Sequence, residues 1–324
     1  MSTAVGANLR VATQRLEAAT GEIVWTGKFD RPLTELAELQ EELVTDIAGA
    51  LETRVYSQEI ERALKKPGDI TAWEAVARSL SAYRKWDTAA HANGIEEARR
   101  AVAIAPDYAS GHAMLAYALS HAYLGSPDDP AEVQRIRAIA EHALTLAPDD
   151  ASVLGFVGRA LSIVGYPEEG VRYTGRAVRK APGSGLMHFY HGVACVLLNR
   201  PEEALSHLKT AERLMPGSHL MWGVKVWQSR ALQARGRWEQ ADAALDESLD
   251  LYPSLGPHVA YKAYLCLKLG RDAEARKHVE TARRLGWDLA LTELHWRRLY
   301  PISPTLEADI ATVRALYAAT EPSA

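Results

Sequence analysis

Histidine side chains are the residues of this 324-residue chain best spaced for chemistry. His188 and His191 lie three residues apart on a predicted helix, a spacing at which two side chains can bind one metal ion. His207 and His219 lie nearby in the sequence. However, no third ligand is specified, and His188 and His191 occupy large-residue positions of a helix that packs on its neighbour. We therefore assign no metal site and no cofactor.

Other patterns that carry chemistry are absent from the sequence. It has no G-x-G-x-x-G after a strand, no Walker A motif, no G-x-S-x-G, no H-E-x-x-H and no paired C-x-x-C. Cys195 and Cys266 stand far apart, which predicts two buried thiols in a reducing compartment. A hydrolase that uses the His188/His191 region is one alternative, but it lacks a nucleophile, base and orienting group. We expect no enzyme activity.

Composition excludes several classes of partner. A net charge of −4 and a pI near 6.3 give no reason to expect a nucleic-acid partner. No run approaches the length of apolar residues that a membrane span needs. The first residues lack the apolar core of a signal peptide, so a cytoplasmic location is expected.

Regularly spaced prolines indicate the architecture that must position any site. Successive members of the series are 42, 34, 34 and 37 residues apart, and each follows an Ala-rich amphipathic stretch. The series is Pro106, Pro148, Pro182, Pro216 and Pro253. A period near 34 is typical of a helix-turn-helix solenoid, which has no single deep core and presents a long curved surface.

The repeats resemble tetratricopeptide repeats. In the fourth, the small, small, apolar, small and proline positions hold Gly192, Ala204, Leu208, Ala211 and Pro216. The preceding repeat matches with Gly158 and Gly170 but has Thr174 in the usual apolar position. The resemblance implies a mainly α fold, a right-handed α-solenoid of about six such helix pairs over residues 67–287. Trp287 replaces the sixth proline, and residues 288–324 are predicted to be capping helices.

The first residues differ from the repeats. Alternating residues predict a small β-hairpin over about 9–17 and 22–29, and a helix from Pro32 to about Leu64. Residues 8–52 resemble the C-terminal end of the TolB-like domain, which precedes tetratricopeptide repeats in bacterial cyclase-type and transcription-regulator-type signalling proteins. The residues that carry this resemblance are Gln14–Leu16, the AATGE turn, Trp25, the FDR at 29–31 and the LQEEL containing Gln40. Residues 1–66 are therefore interpreted as a partial TolB-like segment.

This segment lacks the earlier strands and helices of the TolB-like domain. Either the chain begins part-way through such a domain, or the hairpin packs against another partner, since a two-stranded hairpin alone is marginal in water. A homodimer through the hairpin is one expectation. Another is that the chain is the regulatory C-terminal region of a nucleotide cyclase or transcriptional regulator whose output domain lies on a missing upstream segment.

The resemblance also implies which residues face the concave groove of the array. They are Arg78, Tyr117, Arg159, Val193, Arg230 and Tyr264 in successive repeats, with His121 and Lys268 following on. Arginine offers a planar fork of donors for a carboxylate, and tyrosine adds rigid contact area. We therefore predict a non-catalytic interaction scaffold in a bacterial signalling or regulatory system. Its groove would bind a protein or peptide partner through an acidic segment or a C-terminal carboxylate.

Two alternatives for the groove stay open at this point. The charged residues could be solvated and paired with acids of their own repeat. Near the fourth repeat the groove turns apolar at Phe189, Val193, Val196 and Leu197. That stretch could be a hydrophobic pocket, or the surface that the protein's own capping segment covers.

Overall fold

A computed structural model describes residues 2–5, 8–16, 23–32, 63–64, 70–83, 88–126, 128–299 and 304–320. Near the N-terminus it has strands β1 (Ser2–Val5), β2 (Asn8–Leu16) and β3 (Ile23–Pro32), paired antiparallel in that order. Most of the helix predicted between Pro32 and Leu64 lies outside the described residues. The TolB-like resemblance, with its hairpin as a folding unit, stays a prediction, as do the domain limits.

From residue 72 onward the described chain is helical. Its first six helices are α1 (Ala72–Ala82), α2 (Thr88–Ile104), α3 (Ala109–Tyr123), α4 (Pro130–Leu146), α5 (Ala151–Ile163) and α6 (Pro167–Lys180). The next six are α7 (Gly185–Leu197), α8 (Pro201–Leu214), α9 (Met221–Ala234), α10 (Trp238–Leu251), α11 (Gly256–Lys268) and α12 (Asp272–Arg284). Helices α13 (Leu289–Leu299) and α14 (Leu306–Ala318) follow. We call the odd-numbered helices α1 to α11 the A helices and their even-numbered partners the B helices.

The proline series sets the helix ends. The five B helices from α2 to α10 each end two residues before a proline of the series. Proline cannot continue a helix and disfavours helical backbone in the residue before it. Within a pair, the turn from A to B has a residue with positive φ, which is Gly165, Asn199, Gly236 or Gly270 in four successive repeats. Asparagine tolerates this left-handed conformation better than most residues with a side chain.

Helices of one pair cross at contacts too close for larger residues. At Gly158 of α5, a Cβ would stand 2.9 Å from the carbonyl oxygen of Gly170 and 2.9 Å from the backbone nitrogen of Thr174, both on α6. The small positions of the repeat therefore mark where the two backbones meet, as their sequence pattern indicated.

The A helices are buried almost all round. Every residue from Val153 to Ile163 of α5 is buried, and so is every residue of α7 except Leu186. A helix buried on all sides needs neighbours on all sides. Each A helix has its own B helix and the adjacent repeats, and its inner face needs a further cover. None of the helices in the described part of the chain is long and apolar enough to cross a membrane.

Replacing Gly158 with alanine tests the close crossing. We expect the added methyl to force α5 and α6 apart and lower the free energy of unfolding by about 1–3 kcal/mol. Urea denaturation followed by circular dichroism measures the change. Gly125, whose Cβ would meet nothing within 4 Å, is the matched control. Gly125→Ala should shift the free energy of unfolding by less than about 0.5 kcal/mol. Equal effects of the two substitutions would contradict this role of the small positions.

Candidate functional site

Helix α13 covers the inner face of the A helices. Near the sixth repeat, the Trp296 ring meets Tyr264 of α11 edge-on, with ring centroids 5.0 Å apart. Near the second repeat, the Arg298 guanidinium lies 3.9 Å from the centroid of Tyr123 at the end of α3. Arg298 also donates a hydrogen bond of 2.8 Å to the Asp128 carboxylate, in the loop between α3 and α4. The chain's own C-terminal segment thus covers part of the predicted groove, which is one of the alternatives that the sequence left open.

The predicted groove residues are therefore mostly buried. Tyr117, Arg159, Val193, Arg230 and Tyr264 are each less than a tenth exposed. They do not form one continuous row. Tyr117, Arg159 and Arg230 line one of two cavities beside α13, Tyr264 contacts a residue that lines the other, and Val193 lines neither.

Arg78 lies apart from these cavities. Its Nε donates to the carbonyl oxygen of Ala63 at 2.9 Å, and its guanidinium is 3.7 Å from the Glu97 carboxylate. Arg78 therefore pairs with an acid of its own repeat, which is one of the alternatives that the sequence left open.

The first cavity, here the central cavity, has a volume of about 70 Å³. The residues that define it are Tyr117, His121, Arg159, Trp227, Arg230, His258 and His295. Among the described residues that line it, none is aspartate or glutamate. At about 10–15 Å³ per enclosed water, this volume holds roughly five water molecules. It is large enough for a carboxylate group and too small for a folded segment.

Aromatic rings hold the two arginines of the central cavity. The Arg230 guanidinium lies 3.3 Å from the centroid of Tyr261 and 5.2 Å from that of Trp296. The Arg159 guanidinium lies 5.6 Å from the centroid of Trp227. Cation–π contacts of this kind stabilise a guanidinium away from water and fix its plane.

Three histidines of the central cavity have lowered pKa values. Burial, and then the positive charge of Arg230, lower the pKa of His258 to about 3. Burial, and then the positive charge of Arg230, also lower the pKa of His295 to about 3. Burial and then Arg159 hold the pKa of His121 well below its usual value. The local potential is thus positive, and it comes from arginines rather than imidazolium groups.

Nε1 of Trp222 and Nδ1 of His258, on residues that line the central cavity, make no hydrogen bond to the described residues and are inaccessible to solvent. A buried N–H without a partner, such as that of Trp222, costs free energy. His258 and His295 were not predicted as site residues from the sequence. No local pattern signals them, because α13 brings His295 in from outside the repeats.

The second cavity, here the C-terminal cavity, has a volume of about 330 Å³ and lies between the A helices and helices α13 and α14. Asp309 of α14 enters it. Its Oδ1 accepts a hydrogen bond of 2.6 Å from the Tyr264 hydroxyl and lies 3.5 Å from the Lys268 ammonium. Burial and then Asp309 raise the pKa of Tyr264. Two predicted groove residues therefore bind a carboxylate, and that carboxylate belongs to the chain itself.

Comparisons with known proteins show the fold. No protein-family model and no curated protein match the sequence. A chain in the crystal structure of the APC/C hetero-tetramer Cut9–Hcn1 is 13% identical, with a TM-score of 0.54 over 79% of this chain and 47% of that chain. TTC0263, a thermophilic TPR protein of Thermus thermophilus, is 16% identical over 61% of this chain and 100% of its own, with a TM-score of 0.47.

The chain spans about half the length of the Cut9–Hcn1 chain that it resembles. That likeness and the observed helix pairs make the fold a helical solenoid of tetratricopeptide type. The predicted helical array is confirmed.

The neutral histidines predict how stability depends on pH. His258 has a folded pKa of about 3, below its usual value near 6.5, so between these values only the unfolded chain binds the proton. Acidification therefore favours unfolding, and stability falls as the pH is lowered through this window. By pH 5, His258 alone should remove about 2 kcal/mol.

The His258→Gln variant isolates this effect from that of the other buried histidines. Urea denaturation at pH 7, 6 and 5 should show a smaller loss of stability in the variant than in the parent chain, by about 2 kcal/mol at pH 5. Parallel pH profiles for the two proteins would contradict a buried, neutral His258.

Proposed function

We propose that this chain is a protein-interaction scaffold that binds one carboxylate of a partner segment in the central cavity. The single observation that carries the proposal is the contact of Asp309 with Tyr264 and Lys268. In this contact, two residues of the predicted groove bind a carboxylate in the way that we expect them to bind the carboxylate of a partner. The central cavity offers the same chemistry with Arg159 and Arg230, and no described acid lines it.

The size of the central cavity narrows the partner. A side-chain or C-terminal carboxylate, with three heavy atoms, fits a cavity of about 70 Å³. Such a group would accept charge-assisted hydrogen bonds from the guanidinium groups, which are stronger than bonds between neutral groups. We therefore favour an acidic peptide segment or a free C-terminus over a neutral ligand.

The alternative of a hydrolase finds no support at the best-placed nucleophile. Cys195 lies 3.8 Å from Nε2 of His191, but burial and then the Glu203 charge raise the pKa of the thiol to about 12. A thiol at that pKa is not the thiolate that attacks a substrate. We propose a non-catalytic role.

The wider setting rests on sequence alone. A bacterial signalling or regulatory role, a missing upstream output domain, a cytoplasmic location and a homodimer through the N-terminal hairpin all stay predictions.

Binding of fluorescent peptides tests the proposal. The probe is a ten-residue peptide rich in aspartate and glutamate with a free C-terminus. Two control peptides are compared with it: the same peptide with an amidated C-terminus, and a lysine-rich counterpart. We expect the acidic peptide to bind the full chain and the lysine-rich one not to bind. Arg159→Gln and Arg230→Gln should each weaken binding roughly tenfold or more, because each removes a charge-assisted hydrogen bond. Fluorescence anisotropy measures the affinities.

Arg284→Gln is the matched control, since Arg284 is an exposed arginine on the B helix α12. Its affinity for the acidic peptide should equal that of the parent chain. Melting temperatures of all three variants separate loss of binding from loss of folding. Equal binding of acidic and lysine-rich peptides, or equal effects of all three substitutions, would overturn the proposal.

A further inference from the structure

Three metal-ligand atoms of different kinds converge where α7 meets α8, on the side of α7 away from the central cavity. His191 and Cys195 lie four residues apart on α7 and share one face of the helix, and Glu203 lies on the first turn of α8. The His191 Nε2 lies 3.4 Å from a Glu203 carboxylate oxygen and 3.8 Å from the Cys195 Sγ. All three ligand atoms lie within 4.8 Å of one another.

Thr174 holds the Nδ1 side of the His191 ring. Its hydroxyl lies 2.8 Å from the Gly170 carbonyl oxygen and 2.9 Å from Nδ1 of His191. The Nε2 side of the ring therefore faces the carboxylate and the sulfur. Metal-binding histidines are oriented in a similar way, by a hydrogen bond at the nitrogen away from the metal.

Neighbouring side chains hold the His191 ring in this orientation. His188 donates from Nε2 to the Pro182 carbonyl at 3.0 Å, so its Nδ1 accepts from His207 at 2.9 Å. The His207 ring, fixed in this way, packs edge-on against His191 with centroids 4.5 Å apart. Gly175 of α6 leaves space for the His191 ring, because a Cβ there would stand 3.3 Å from Cε1 of His191.

The spacing of the three ligand atoms fits one metal ion. In tetrahedral zinc sites the metal lies about 2.0–2.2 Å from nitrogen or oxygen and about 2.3 Å from sulfur. Those lengths place nitrogen and oxygen about 3.4 Å apart, and nitrogen and sulfur about 3.6 Å apart, close to the separations observed here.

We propose that His191 Nε2, Cys195 Sγ and a Glu203 carboxylate oxygen bind one Zn²⁺ ion. Water supplies the fourth ligand, because the Glu203 side chain is 41% exposed and opens the site to solvent. The thiolate selects zinc over magnesium or calcium, which prefer oxygen ligands. Binding releases the thiol proton to solvent as the Zn–S bond forms.

The sixth repeat offers an internal comparison. Cys266 and Glu274 occupy the positions of Cys195 and Glu203, each 71 residues further along. At the position of His191 stands Lys262, whose ammonium lies 2.5 Å from Asp242 and 2.6 Å from Asp246. An ammonium there offers no lone pair to a metal ion. Of these two repeats, only the fourth therefore has all three metal ligands.

Zinc and cobalt binding to the full chain test the site. After removal of metal with a chelator, the parent chain should bind one zinc ion at the site. With Co²⁺ in its place, the chain should show the charge-transfer absorption of a thiolate–cobalt bond and the d–d bands of a tetrahedral ion. Cys195→Ser should abolish the charge-transfer absorption, whereas the matched Cys266→Ser should keep it. Glu203→Gln, a change at a partly exposed side chain, should weaken zinc binding at least tenfold.

Circular dichroism of each variant establishes that it is folded before its metal content is compared. Failure of the parent chain to bind zinc or cobalt would overturn the proposal. So would a cobalt spectrum that Cys195→Ser leaves unchanged or that Cys266→Ser removes. In either case His191, Cys195 and Glu203 form a hydrogen-bonded group and not a metal site.

Discussion

The burial of the A helices on every side is the constraint from which the rest of the structure follows. In an open solenoid the inner faces of the A helices meet solvent, and polar residues can line them. Here nearly every residue of α5 and α7 is buried, so their inner faces need a cover. Helix α13 provides it, with Leu299 joining the hydrophobic core of the earlier repeats. What would be an open groove thereby becomes two cavities beside α13.

The helix pairs could be predicted from the sequence because their determinants are local. A proline two residues after each B helix, a residue with positive φ in the turn and small residues at the crossing all lie within one repeat. These signals also gave the helix phase, from which Arg159 and Arg230 were predicted to face the groove. That they face a cavity under α13 could not be predicted. The Arg298–Asp128 contact joins residues 170 positions apart, and no periodic pattern encodes it.

Departures from the repeat pattern proved more informative than matches to it. Thr174 occupies an apolar position in the third repeat, and the structure explains it by the hydrogen bond to His191 of the fourth. In the sequence, the odd threonine and the histidines stand as separate features. Cys195 was interpreted there as an inert buried thiol, and it is indeed buried. Glu203 comes close to His191 and Cys195 because of the angle at which α8 packs along α7. The sequence pattern does not contain this angle.

Helix α7 connects the two proposed sites. Phe189 lines the central cavity, and Tyr190 packs against Tyr117 with ring centroids 5.7 Å apart. His191 and Cys195 face α8 from the other side of the same helix. The two proposed sites thus share helix α7, although no side chain of the proposed zinc site lines the central cavity.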